Sequence, residues 1–198
     1  MKSIITLLFA ITCAAVVHAQ QGFNFTIAYP VSFPVGNMSD YISKTSFRGI
    51  NMEFNHFRTP YLNVGIETGW NVFYERVDDK VYTDKTASIS GVQYRYTNAV
   101  PILAGAKYYK QTDNKNLRPY IGFGLGTLYI DRYTDFGLYR IVNDTWQFCL
   151  RPELGIAYGL GNGSAITLNG KYYAGFETDD LDAQNFVSVS LGLIFGNK

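Results

Sequence analysis

The chain is predicted to be all-β, an eight-stranded antiparallel up-and-down transmembrane β-barrel. Three observations predict it. Apolar and polar side chains alternate with period two through nearly every segment after residue 22. Eight such segments can be counted, an even number that returns both ends of the chain to one side. The connections between them alternate long and short, as in barrels with tight turns at one membrane face and loops at the other.

The strands are read in order from the parity of their side chains, since neighbours along a strand point to opposite faces. The first, Phe23 to about Phe33, sets Phe25, Ile27, Tyr29 and Val31 against Asn24, Thr26, Ala28 and Ser32. A long polar connection, Gly36 to Ser46, precedes the second strand, about Phe47 to Phe57, where Ile50, Met52 and Phe54 oppose Asn51, Glu53 and Asn55. After Arg58-Thr59-Pro60 the third strand, about Tyr61 to Glu75, opposes Leu62, Val64, Ile66, Trp70 and Val72 to Asn63, Gly65, Glu67, Gly69 and Asn71. Arg76 to Ser90 is charged and reads as a long loop. The fourth strand, about Val92 to Tyr109, is the least regular, because Pro101 and Leu103 interrupt Val100, Ile102, Ala104 and Ala106. Proline cannot donate to a ladder, so a bulge or an irregular pairing is predicted near Pro101.

A Thr112–Asn116 turn leads to the fifth strand, about Pro119 to Tyr129, with Ile121, Phe123 and Leu125 against Gly122, Gly124 and Gly126. Another long loop, with Asp131, Arg132, Asp135 and Asn143, precedes the sixth, about Thr145 to Tyr158. There Trp146, Phe148, Leu150, Leu154 and Ile156 oppose Gln147, Cys149, Arg151, Glu153 and Gly155, and Pro152 marks a second bulge. Gly161-Asn162-Gly163 is a tight hairpin, its residues tolerant of positive φ. The seventh strand, about Ala165 to Phe176, sets Ile166, Leu168 and Tyr172 against Thr167, Asn169, Lys171 and Tyr173. The acidic loop Glu177 to Gln184 leads to the eighth, about Asn185 to Phe195, with Val187, Val189, Leu191 and Leu193 against Ser188, Ser190 and Gly192.

Residues 1–19 have the form of a cleavable export signal: Lys2, a largely apolar Ile4–Val17 run, and Val17-His18-Ala19 before Gln20. The remainder, 20–198, is one barrel domain. Lys2 is the segment's single charged residue, so its loss reduces 17 basic residues to 16 against 16 acidic ones. A neutral chain gives no electrostatic footprint for nucleic acid. Cys149 alone remains, so no internal disulfide forms. Sixteen Tyr and 14 Phe suit a protein that needs amphipathic rings at two water–lipid boundaries.

Parity alone does not say which face is inside. A soluble lipocalin-like carrier has the same strands with its apolar face inward. Three features favour the lipid-facing choice. The polar parity is rich in glycine, which suits a narrow lumen. It carries charges of both signs, Glu53, Glu67 and Glu153 with Arg151 and Lys171, which can pair as a structural interior network. Bulky aromatics sit near strand ends on the oily parity, as a girdle would: Phe33, Trp70, Tyr129, Trp146 and Phe176 toward the loops, Phe23, Tyr158 and Phe195 toward the turns. Eight strands enclose an interior that side chains fill, so no pore of porin width is predicted.

The signal, the alternation and two segments carry a resemblance to a known family. Pro101-Ile102-Leu103-Ala104-Gly105-Ala106-Lys107-Tyr108-Tyr109 and Arg118-Pro119-Tyr120-Ile121-Gly122-Phe123-Gly124-Leu125-Gly126 resemble the small OmpX/OmpA-type outer-membrane barrels of bacteria, especially versions found in Bacteroidota. The C-terminal strand is similar to the recognition signal of such barrels, although Phe195 is followed by Gly196-Asn197-Lys198. The resemblance implies insertion by the outer-membrane assembly machinery, contact with outer-membrane lipid and lipopolysaccharide, and termini in the periplasm. It implies no single activity.

No catalytic or cofactor motif emerges. Gly122, Gly124 and Gly126 fall within a strand rather than at a strand-to-helix turn, so they read as lumen packing and not a phosphate loop. His56 lacks a Ser or Asp constellation. The acids Asp179, Asp180 and Asp182 read as a solvated loop rather than a metal site. The sequence therefore predicts a monomeric, non-enzymatic surface protein without metal or cofactor, serving contact, adhesion or envelope integrity. A small-solute channel, a lipid-modifying barrel enzyme and a periplasmic carrier are the alternatives.

Overall fold

A strand with one oily face must bury or cover it, and a sheet closed on itself leaves no edge unpaired. This chain closes. In the computed structural model, which describes residues 22–84, 87–114, 116–161 and 163–196, eight strands follow one another around a barrel in chain order. They are β1 (Phe23–Val35), β2 (Gly49–Phe57), β3 (Leu62–Asp84), β4 (Ala87–Tyr109), β5 (Leu117–Phe136), β6 (Tyr139–Gly161), β7 (Ser164–Gly175) and β8 (Asn185–Gly196). All neighbours are antiparallel, and β1 closes on β8 from Asn24↔Gly196 to Val35↔Asn185. The 1–19 leader lies outside the described residues, as does Asn162 of the predicted hairpin, whose flanking Gly161 and Gly163 have φ of 83° and 77°. None of the described helices is long and apolar enough to cross a membrane.

The oily parity points outward. Ile66, Ile121, Leu154 and Leu191 are 60% or more exposed, whereas Glu67, Arg151, Lys171 and Ser190 on the other parity are 3% exposed or less. That is the reverse of a soluble carrier.

The wall is uneven, which corrects two predicted loops. Residues 76–84, 87–90, 131–136 and 139–144 are strand rather than loop, so β3, β4 and β6 each run 23 residues and β5 runs 20. About 9–11 residues suffice to cross a bilayer. β1, β2, β7 and β8 have 13, 9, 12 and 12. The polar segments of the tall half form two long hairpins, one closed by Gly137-Leu138, where Gly137 adopts φ 65°.

The irregular pairing expected near Pro101 is present, but neither Pro101 nor Pro152 carries a bulge. The β4–β5 register runs without a shift through Pro101↔Leu128, and β5–β6 through Phe123↔Pro152. On its other side each proline coincides with a gap in the ladder, between Thr68↔Ile102 and Asn71↔Ala99 and between Leu150↔Ala174 and Glu153↔Lys171, with the register kept across it. A missing N–H can thus remove local pairing without inserting a residue. The shifts fall instead at Val77/Lys80 and Gly159/Gly161.

The remaining long connections turn inward. The first carries a short helix, α1 (Asn37–Tyr41), and a bridge in which Ser32 and Ser46 exchange backbone hydrogen bonds of 2.9 and 2.8 Å. It delivers Met38 and Ile42 to the lumen, and the last connection delivers Leu181.

Candidate functional site: a lumen filled at three levels

At mid-height the lumen is filled by side chains that the strands themselves direct inward, and these are buried. Glu53 and Glu67 are cross-strand partners on β2 and β3, an arrangement that like charges disfavour. Lys171 resolves it from across the barrel, with Nζ 2.7 Å from Glu53 Oε1 and 3.0 Å from Glu67 Oε1. Lys107 sits 2.5 Å from Glu53 Oε2 and 3.1 Å from Glu153 Oε1. Arg151 pairs with Glu67 at 2.8 Å and closely with Glu153 through Nη1.

These six residues form a closed ring of alternating sign: Glu53, Lys107, Glu153, Arg151, Glu67, Lys171 and back to Glu53. Every charge touches two of the opposite sign, and the ring is neutral. All six side chains are 7% exposed or less. Isolated charges at such depth cost several kcal/mol each after relaxation, which pairing and hydrogen bonding must offset. Asn55 Nδ2 donates to Glu53 at 3.0 Å, Tyr120 Oη to Glu153 at 3.0 Å and Tyr173 Oη to Glu67 at 2.5 Å.

The glycines of β4 and β5 make room for this ring. A Cβ added at Gly124 would lie 3.0 Å from Arg151 Nη2, and one at Gly122 would lie 3.3 Å from Glu153 Oε2. The three carboxylates place oxygens within 4.8 Å of one another, a spacing that could hold a metal ion. Here the three cations already supply that positive charge.

The structure thus brings the five sequence-named charges together and adds Lys107, which the sequence reading missed. The signal was present: Leu103, Gly105 and Lys107 share the inward parity of β4. Pro101 and Leu103 obscured it because they looked like defects rather than inward residues.

Above the ring, toward the loops, the filling changes character. Phe73, Ala99, Leu103, Leu128, Ile130, Cys149, Tyr173 and Phe186 form a buried apolar cluster with Met38, Ile42 and Leu181 from the connections. Tyr173 and Phe186 stack with centroids 4.5 Å apart. This corrects the prediction of an interior filled by charge: charge occupies one level and hydrocarbon the next. Below the ring, Tyr109, Tyr120 and Ala157 pack with Phe57 and Ile194. Beyond them a cavity of about 840 Å³ opens at the turn end, lined by Asn24, Phe57, Tyr109, Arg118, Ala157 and Ile194 among others.

On the outer wall, Phe33, Trp70, Trp146 and Phe176 are 40–56% exposed near the loop end, with Tyr129 half-exposed 4.9 Å from Trp146. Phe23, Tyr158 and Phe195 are 45–50% exposed near the turn end. Two rows above Trp70 and Tyr129, on the tall half, Tyr74, Tyr96 and Tyr133 stand side by side with centroids 4.8 and 4.7 Å apart. Arg48 lies over Tyr74 at 5.6 Å and Arg140 over Tyr133 at 4.5 Å. His56 packs on Phe23 at 4.4 Å, and Asp179, Asp180 and Asp182 are exposed.

A closed eight-stranded barrel, apolar outside and charged within, defines a class: the small outer-membrane β-barrels, whose fold this chain has. No protein-family model matches the chain, and no curated protein matches it. Solved structures do. It is similar to neisserial surface protein A, with TM-score 0.59 at 12% identity over 88% of this chain and 97% of that one. It is similar to Ail, the attachment invasion locus protein of Yersinia pestis, with TM-score 0.50 at 12% identity over 89% and 100%. The outer membrane protein OprG from Pseudomonas aeruginosa gives 0.50 at 12% over 89% and 97%. At this identity the likeness is one of fold.

Proposed function

We propose that the protein is an integral outer-membrane barrel serving surface contact, adhesion or envelope integrity rather than chemistry. It is exported by its 1–19 leader, inserted by the assembly machinery through β8 and seated as a monomer with both termini in the periplasm. The observation that carries this reading is the distribution of polarity: a broad apolar exterior between two rows of aromatics, around a neutral ring of buried charge. Water disfavours the first and hydrocarbon tolerates the second only inside a closed wall. Outer-membrane lipid and lipopolysaccharide are the partners of that exterior. The tall half of the wall, with its tyrosine row and flanking arginines, is the contact surface offered above the membrane.

The side chains that fill the lumen at three levels favour a structural role over a solute channel. Among the described residues no nucleophile, base and orienting group are brought together, which favours a non-enzymatic role.

The test is refolding of the mature chain in detergent, followed by gel mobility with and without heating. The proposal requires a fast-migrating unheated form. Co-migration of heated and unheated samples contradicts it, as does hydrolysis or transfer of lipid acyl chains by the refolded protein. Steady single-channel conductance in planar bilayers supports the channel instead.

A further inference from the structure

The tall half of the wall stands above the apolar plug as a trough, and its inner face carries a cationic pair. Arg132 follows Leu128 and Ile130 on the inward parity of β5, one step above the plug. Arg95 stands on β4, paired in register with Thr134. The first connection brings Tyr41 beneath both guanidinium groups: its ring centroid is 4.3 Å from Arg132 Cζ and 5.0 Å from Arg95 Cζ. Tyr41 Oη is fixed in turn by Thr134 Oγ1 at 2.5 Å and by the carbonyl of Tyr133 at 3.1 Å.

The two arginines differ in how they are satisfied. Arg95 donates through Nε and Nη2 to Gln93 Oε1 and through Nη1 to the Tyr41 carbonyl at 2.9 Å. Arg132 is half-buried, and its Nε is buried without an acceptor. Among the described residues no hydrogen bond or ion pair holds its guanidinium.

The nearby acids are committed elsewhere. Glu75, the register partner of Arg95 on β3, accepts from the backbone N of Ser43 at 2.6 Å and from its hydroxyl. Asp131 and Asp135 lie on the outward parity, where Asp131 accepts from Asn98 at 3.1 Å and Asp135 binds Arg140 at 2.6 Å. Buried donors are normally paired, and a guanidinium fork is matched by a planar or tetrahedral oxyanion.

We propose that Arg132, supported by the charge of Arg95 and seated over the Tyr41 ring, binds a small soluble oxyanion that enters from the loop end: a phosphate, sulfate or carboxylate group. The site faces the trough and not the lipid, so the anion comes from solution rather than from a neighbouring headgroup.

The experiment uses the refolded full-length mature protein in a phosphate-free zwitterionic detergent. Inorganic phosphate and then sulfate are titrated at ionic strength held constant with chloride, and binding is followed by calorimetry and by the NMR signal of Arg132 Nε–H. The expected result is saturable one-to-one binding that moves this signal. It should weaken tenfold or more in Arg132→Gln and stay unchanged in Arg140→Gln, whose guanidinium lies on the outer face. Should Arg132→Gln fail to refold, Arg132→Lys decides, since it keeps the charge and loses the fork: severalfold weaker binding upholds the proposal and equal binding overturns it. Absence of saturation overturns it, as does equal loss in Arg132→Gln and Arg140→Gln. Saturable binding of a short-chain anionic phospholipid but not of free phosphate overturns the soluble source.

Discussion

Two adjacent levels of one lumen are filled by opposite chemistry, although both are buried and both are lined by the same strands. At mid-height six charges alternate in sign around a ring. One level nearer the loops, Phe73, Leu128, Ile130 and Phe186 form an apolar plug with Met38, Ile42 and Leu181. The difference is what can reach each level. Among the described residues no connection contributes to the ring, so long side chains span the lumen from the wall, and Lys and Arg do so while meeting carboxylates. Near the loops, the two connections at 36–48 and 176–184 fold inward and bring their own hydrocarbon. A barrel interior is therefore polar by default and becomes a conventional core wherever chain is available to cover it.

Breaking the ring should have the largest effect. Arg151→Met leaves Glu67 and Glu153 without their shared partner, and unfolding in urea from detergent or bilayers should show a loss of about 3–5 kcal/mol. Adding Glu67→Gln restores neutrality, so the double variant should cost less than the sum of the two single variants, a coupling that a cycle measures. In the plug, Phe73→Ala should cost ~3–5 kcal/mol through a cavity, with no dependence on the charge state of its neighbours. If a charge-neutralising second substitution rescued Phe73→Ala as well, the distinction between the levels would be lost.

The exterior comes next. Leu154→Arg places a charge on a side chain that is 68% exposed on the outer wall, and ~2–4 kcal/mol is expected when refolding is measured in lipid. A neutral result would mean that this face meets water. Gly124→Ala should cost about 1–3 kcal/mol, because its Cβ would crowd the Arg151 guanidinium. Arg140→Ala, on the outer face above the girdle, should stay within about 0.5 kcal/mol in the same assay.

The legibility of this fold in the sequence follows the same physical divide. Alternation such as Ile66-Glu67 or Leu154-Gly155 is a direct consequence of the pleat, so strand identity and faces are readable wherever one face is lipid-like. Above the lipid that contrast disappears. Residues 76–84, 131–136 and 139–144 mix polar and apolar side chains without a clean alternation and read as loops, yet they continue their ladders. The plug was hidden for a related reason: Phe73, Leu103 and Phe186 occupy the parity that elsewhere carries Glu67, Lys107 and Ser188, and parity cannot report which connection will fold onto them. Lys107 was obscured by Pro101, which looks like a break in the strand but removes pairing on one side without shifting register.

The two tryptophans allow the most direct test. Trp70 and Trp146 are the chain's full complement, and they are 54% and 56% exposed on the outer wall at the loop-side aromatic row. The measurement is quenching of tryptophan fluorescence in the protein refolded into vesicles whose lipids carry bromine at graded depths along the acyl chain. Side chains seated at the lipid boundary should be strongly quenched, most by bromine near the headgroup and less toward the bilayer centre. Quenching by aqueous iodide instead, with no response to brominated lipid, would place these side chains in water and contradict the lipid-facing assignment of the wall.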